Sequence, residues 1–370
     1  MNKYVTTRRR FLKQTSVSLG LAGLAMTEIS CRLLSEDAGG TSGDANGVSI
    51  VTFDNDAVAS SAPPQWAIEQ LKHAFQSLGT KVRMVSDVSK ASTGDQVVVV
   101  ASASHPVAQE VIGGAKIVMP STAEALLLAR GTASGRPVLL VSGNDARGMV
   151  YALLELTDRL LYSDSLMAAL KVDPAIIEQS HNKTRSMSRS FQSEVEDKPW
   201  FNDRSFWTEY LSMLAAERFN RFNLCLGLAY NSTPAGSPEV YLFFAYPFLV
   251  SPPKYSGVFA KNLPAAERDA NLQMLKFIGQ ECARRGLQFQ LGLWSHAYAY
   301  GAGANYPIKG LLQANHAPYC RDDLEAILKA CPEITGVTFR VHSESGIPTG
   351  SYDLWKTVFE AFPKVGRILE

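Results

Sequence analysis

The chain has 370 residues, 46% of them hydrophobic and 19% charged, enough apolar material to bury sizeable cores. The net charge of +1 argues against a nucleic-acid polyanion as the main partner. The length allows two domains behind an export signal.

That signal comes first in the chain. Thr7-Arg8-Arg9-Arg10-Phe11-Leu12-Lys13 reads as a twin-arginine export motif, and the apolar stretch over residues 17–26 is too short for a permanent membrane span. The expected destination is the periplasm or the medium, by a route that carries folded proteins. Ser30 gives Cys31 the small preceding residue of a lipid-attachment site, while Glu28 stands where an aliphatic residue is usual, so a lipid anchor and a plainly cleaved signal both stay open. Residues 36–47, rich in Gly, Ser, Asp and Ala, form a flexible linker, which sets residues 1–46 apart from the fold.

Residues 47–165 read as a small α/β domain. A strand over 48–53 is followed by a helix over 64–78, with Trp66, Ile68, Leu71, Ala74, Phe75 and Leu78 at helical spacing and Gly79 as its stop. Strands follow over 81–85 and 96–101, the second a continuous apolar run of the kind covered on both faces. Residues 121–129 read as a short helix or strand. A strand over 136–142, a turn at Gly143-Asn144-Asp145 and a helix over 146–161 close the unit. Gly143 permits a tight exit, Asp145 caps the helix and Gly148 lets helix and sheet approach closely. The stretch GRPVLLVSGNDARGMVYALLELTDRL is similar to the closing strand, turn and helix of the accessory domain that precedes the barrel in several glycoside hydrolases, of the hexosaminidase and α-glucuronidase types. In those families the domain is mainly structural, so the resemblance assigns no catalytic residue here.

Residues 166–184 read as a connector, and residues 185–370 as the N-terminal half of a TIM-type (β/α)8 barrel with about four of its eight strands. The strands are expected over 188–192, 221–228, 287–294 and 336–341, and the helices over 204–220, 265–285, 321–330 and 351–362. Long loops follow the strands, one over 229–263 and another over 295–317, as in a barrel that keeps its site at one rim. An open doubly wound sheet is the alternative, but no Gly-rich phosphate loop follows any strand. Of the cysteines Cys31, Cys225, Cys282, Cys320 and Cys331, none forms a CxxC or a Cys/His cluster with zinc spacing, so neither metal nor cofactor is expected. Cys225 and Cys282 read as buried thiols, and Cys320 and Cys331 flank a helix that holds them too far apart to pair.

In this register the strand ends gather a polar, aromatic set: Glu194, Glu196, Asp197 and Trp200 after the first strand, Tyr230 after the second, Trp294, His296 and Tyr298 after the third, and His342 and Glu344 after the fourth. Such mixtures bind sugars, with aromatic faces on C–H-rich rings and carboxylates, His and Arg on hydroxyls. Glycoside hydrolysis needs one carboxyl to protonate the leaving oxygen and usually a second to attack or to activate water. Glu344 fits the acid role, since a partly apolar rim raises a carboxyl pKa; the plainer reading is a rim Glu that binds a hydroxyl or pairs with Arg340. Trp294 is the stacking candidate, with a core tryptophan as its alternative. His342, Arg340, His296, Glu194 and Trp200 complete the expected sugar-binding set, and Glu194 or Glu196 is the nearest candidate for a second carboxyl.

The whole second unit resembles the N-terminal half of a bacterial group of glycoside-hydrolase-like barrel proteins, through FQSEVEDKPWF, RFNRFNLCLG, FQLGLWSHAY and GVTFRVHSESG. In related barrels a Glu ending the fourth strand is the general acid, and the resemblance puts that role on Glu344. Hexosaminidases have Asp just before this Glu to orient the substrate acetamide; here Ser343 stands there, which favours the α-glucuronidase-like reading. The expected protein is an exported glycoside hydrolase on poly- or oligosaccharide, with a carbohydrate-binding barrel or an inactive truncated fragment as alternatives. A half barrel would leave a strand edge and an apolar inner face open, which favours pairing with another half.

Overall fold

A computed structural model of the chain describes residues 47–227, 241–299, 305–366 and 368–369. The export motif, Cys31, residues 36–46 of the linker and Tyr230 lie outside the described residues.

Apolar runs without a helical period become the strands of the first sheet. Its elements are β1 (Val48–Val51), α1 (Ala62–Ser77), β2 (Val82–Val85), β3 (Gln96–Val100), α2 (Pro106–Gly114), β4 (Leu126–Ala133), β5 (Arg136–Gly143), α3 (Ala146–Tyr162), α4 (Leu166–Leu170) and β6 (Ile176–Glu178). The six strands lie in the order β2-β1-β3-β5-β4-β6. Successive side chains of β3 go to opposite cores: Val98 and Val100 pack with α1 and α3, and Val97 and Val99 with α2. The ambiguous segment over 121–129 resolves as the start of β4. Ser134 and Gly135, both at positive φ, turn it back antiparallel onto β5 with Ala133 opposite Arg136. The expected connector is not free chain, because its Ile176–Glu178 pairs antiparallel with β4 and extends this sheet.

The Gly143–Gly148 turn is packed as its residues imply. The Asp145 carboxylate accepts from the Gly148 N–H at 2.8 Å and from the Glu124 N–H at 3.0 Å. A Cβ on Gly143 would lie 2.1 Å from the Met149 nitrogen, and one on Gly148 2.3 Å from the Ala125 carbonyl oxygen. Arg147 of the same turn reaches Glu124, whose buried carboxylate also receives the Arg185 guanidinium and the Asn220 amide. Burial opposes the charge on Glu124, but these donors outweigh it and hold the carboxyl below its ordinary range. Arg185 and Asn220 immediately precede two strands of the second sheet, so this carboxylate joins the two sheets at their base.

The second sheet is built from β7 (Ser186–Phe191), α5 (Glu194–Phe201), α6 (Arg204–Ala216), β8 (Arg221–Leu226), α7 (Tyr246–Leu249), β9 (Phe259–Ala260), α8 (Ala265–Arg284), β10 (Gln288–Leu293), β11 (Ile308–Lys309), α9 (Gln313–Ala330), β12 (Ile334–Phe339), α10 (Tyr352–Phe359), α11 (Ala361–Val365) and β13 (Ile368–Leu369). Five strands pair in the order β7-β8-β10-β12-β13, all parallel, and β9 and β11 form a separate antiparallel pair. An order that never reverses is that of a (β/α) barrel and not of a doubly wound sheet. β13 is a short fifth strand beyond the four expected.

Alternation along these strands separates two faces. Phe191, Phe222, Leu224, Leu226, Phe289, Leu291, Leu293 and Val337 enter the core shared with the helices. The opposite face carries Ser188, Ser190, Asn223, Cys225, Gln290, Gly292 and Thr338, so the apolar inner face expected of a half barrel is replaced by small polar groups. The long excursion after β8 is also not a surface loop where it is described, since Tyr241 to Val250 are all buried.

Gly148→Ala should lower the unfolding free energy by ~1–3 kcal/mol through overpacking against rigid backbone. Gly113→Ala, with open space around it, should leave it unchanged or slightly raised. Urea denaturation of both variants checks the pair.

Candidate active site

Register places the inward side chains in rows. Ser188, Asn223, Gln290 and Gly336 share one row; Ser190, Cys225, Gly292 and Thr338 share the next. The upper row is low because its side chains are small. A Cβ on Gly292 would lie 2.9 Å from Trp294 Nε1 and 3.0 Å from Cys225 Sγ, so the indole lies across this floor in space that only glycine leaves. Arg340, one residue past β12, places its guanidinium carbon 4.4 Å from the Trp294 ring centroid. The same guanidinium meets Glu344, with Nη1 2.9 Å from Oε2. His342 Nδ1 accepts the Glu344 N–H at 3.3 Å, and its Nε2 lies 3.9 Å from Oε2.

The turn Ser343–Ser345 is braced from the neighbouring strand end. The Ser345 carbonyl accepts the N–H groups of His296 at 2.8 Å and Ala297 at 3.1 Å. Gly346 adopts φ 78° and sits so close that a Cβ would lie 2.2 Å from that of Ala297. The loops after β10 and β12 therefore form one unit, and it brings Trp294, Arg340, His342 and Glu344 together.

The other expected residues lie elsewhere. The His296 side chain is fully buried on the helix side, against Trp355 and Phe339, with Nε2 2.9 Å from the Tyr246 hydroxyl. In this position it braces the loop and does not reach a sugar. Trp200 lies on α5 and not on a loop. It packs edge-on to Phe201 and Trp207, its Nε1 donates to Asp197 at 2.9 Å, and its face is covered by Arg189 at 4.1 Å. It is a partly buried ring packed against the helix-side core. Glu194 accepts from the Tyr306 hydroxyl at 2.6 Å and Lys198 at 3.0 Å. Burial works against its charge, but these hydrogen bonds prevail and lower its pKa. Lys198 also bonds Glu267 at 2.6 Å, so Glu194 is committed to a network among α5, α8 and the loop before β11. Tyr298 packs against His316, and Asp197 accepts the N–H groups of Gln192 and Ser193. Glu344 itself is about half exposed and ion-paired, not set in the partly apolar rim expected of it.

Sequence reasoning missed the buried polar cluster behind this site. His316, Tyr319, Cys320 and Asp323 project from α9 towards Tyr246 and His296. Burial, then the charge of His316, pushes His296 down to about 3, and burial pushes His316 down to about 4. Burial raises Asp323 to about 8, and neither of its carboxylate oxygens has a hydrogen-bond partner among the described residues. The spacing of residues 316, 319, 320 and 323 on one helical face was the available signal, but Pro318 between them reads as a helix breaker.

The cluster makes stability pH-dependent. From about pH 4 to 6.5 the unfolded chain binds two protons on the histidines while the folded chain binds one on Asp323, so stability rises with pH. Between 6.5 and 8 only the folded-state proton on Asp323 remains, and stability falls. Asp323→Asn should remove that fall, gaining of the order of 1–2 kcal/mol on wild type between pH 6.5 and 8. Unfolding curves at pH 5, 6.5 and 8 read the difference, and a parallel decline in the variant would contradict it.

No protein-family model and no curated protein matches the sequence. Solved structures do. The chain is similar to a GH138 enzyme targeting the pectin rhamnogalacturonan II, at 18% identity and a TM-score of 0.58, over 86% of this chain and 34% of that one. It is similar to the GH20 β-N-acetylhexosaminidase from Streptomyces coelicolor A3(2), at 14% identity and a TM-score of 0.50, over 88% of this chain and 61% of that one. A GH84 protein, CpGH84D, matches at 8% identity and a TM-score of 0.50, over 88% of this chain and 46% of that one. The likeness defines a glycoside-hydrolase-like α/β fold. The chain spans about a third of the length of the first of these structures and less than two thirds of the others.

Proposed function

We propose that the chain supplies the N-terminal part of an exported glycoside hydrolase, with the accessory α/β domain in front and the first strands of a (β/α)8 barrel behind it. The reaction is hydrolysis of O-glycosidic bonds in poly- or oligosaccharides, α-glucuronidase-like in the breakdown of xylan. Glu344 is the general acid that protonates the leaving oxygen. Trp294 supplies a stacking face, and Arg340 and His342 orient the substrate. The observation that carries this reading is the meeting of Glu344, Arg340, His342 and Trp294 at the C-terminal ends of parallel strands, the edge where barrel enzymes of every chemistry keep their sites. The twin-arginine motif supports export to the periplasm or the medium.

A second reading, a carbohydrate-binding or inactive barrel, is favoured by one specific observation. Among the described residues, the inward positions of β7, β8, β10 and β12 carry no second carboxylate, and Glu344 is held by Arg340. Glu344→Gln in the full-length protein separates the two. The hydrolase reading expects turnover of aryl glycosides and aldouronic oligosaccharides to fall by ~10²–10⁴-fold with sugar binding retained. Unchanged turnover would remove Glu344 from the acid role.

A further inference from the structure

The strand-end site is closed upon itself. One guanidinium, that of Arg340, lies 4.4 Å from the Trp294 ring centroid and at the same time 2.9 Å from Glu344 Oε2. It covers the indole face on which a sugar ring would stack, and it binds the oxygen that would deliver a proton. The wall below is neutral and polar, with Ser190, Asn223, Gln290 and Thr338 among its inward groups. The only charged inward groups of the four described strands and the residue that follows each are Arg221 at the base and Arg340 at the rim. Arg340 is therefore the cation at the rim of a neutral, polar wall, shared with Glu344, and the group to which an anion there would be drawn.

We propose that Arg340 is both the specificity determinant and the latch of this site: the carboxylate of an acidic sugar takes the guanidinium from Glu344, which uncovers the Trp294 face and releases the acid. This rests on the hydrolase reading of the same residues. The geometry of the exchange is favourable. Glu344 is about half exposed and offers Arg340 a single close oxygen, and such pairs are weak. A substrate carboxylate held against the wall can use both oxygens on the planar fork, the stronger arrangement. A neutral sugar has nothing to exchange for Glu344, so it leaves the latch shut and binds weakly. The rim thus couples recognition of the charged group to exposure of the acid.

The test is a titration of the full chain with methyl glucuronoside and methyl glucoside, by calorimetry and by tryptophan fluorescence, with Trp294→Phe assigning the signal. Wild type should bind the acidic sugar at least ten times more tightly. Arg340→Met should bind both sugars alike, and Arg340→Lys, a point charge without the fork, should keep only a small part of the preference. Glu344→Gln, which removes the competing carboxylate from an exposed position, should tighten binding of the acidic sugar severalfold. Equal binding of the two sugars by wild type, binding of neither, a preference that survives Arg340→Met, or weaker acidic-sugar binding by Glu344→Gln would each overturn the proposal. Binding needs no turnover, so the two readings fail separately. Discrimination through Arg340 without hydrolysis removes the hydrolase and leaves Arg340 as the specificity determinant of a binding site. Hydrolysis indifferent to the substrate carboxylate removes the latch alone.

Discussion

Four parallel strands in register set the position of every side chain in the candidate site. With period two and no slip between β7, β8 and β10, Phe191, Leu226 and Leu293 must enter the helix-side core together, and Ser190, Cys225 and Gly292 must face the groove together. The single irregularity, between Phe289 and Gln290, is absorbed at Thr335, whose hydroxyl donates to the Phe289 carbonyl at 3.0 Å. Parallel pairing also brings all the strand C-termini to one edge, so the guanidinium of Arg340 lies over the ring of Trp294, far away in the chain. A one-residue slip at β12 would turn Arg340 outward and undo the Trp294–Arg340–Glu344 stack.

The base of the same sheet is fixed by a different interaction. Glu124 is a buried carboxylate from the first sheet, and its donors Arg147, Arg185 and Asn220 come from the Gly143–Gly148 turn and from the residues leading into β7 and β8. Removing the carboxylate would leave cationic groups partly buried without their counter-charge, a larger loss than any exposed ion pair gives. The first sheet is therefore the support on which the first two strands of the second sheet are set.

Much of this was legible in the sequence where a single physical signal sufficed. The apolar strands, Asp145 as a cap and Gly79 as a helix stop follow from periodicity and backbone freedom, and Gly79 adopts φ 72°. The residues grouped around Glu344 were found because strand-end position is visible along a chain. What failed depended on which way a side chain turns after the strand. Trp294 follows β10 directly, whereas Glu194 and Trp200 come three and nine residues after β7, where α5 has begun and carries them into the helix layer. α5 itself was hidden by Pro199 and by three acidic residues in its first turn, a composition that reads as loop. α9 was read as starting eight residues late because Pro318 lies inside it. His296 was expected in the groove, two residues after Trp294, but the backbone is pulled onto Ser345 and the ring turns into the core.

The central claim is that Arg340 is shared between Glu344 and an incoming anion. A double-mutant cycle on binding of methyl glucuronoside, with Arg340→Met and Glu344→Gln singly and together, measures that sharing directly. The account predicts strong coupling, with Glu344→Gln tightening binding when Arg340 is present and having no effect when it is absent. Additive effects of the two substitutions would contradict it.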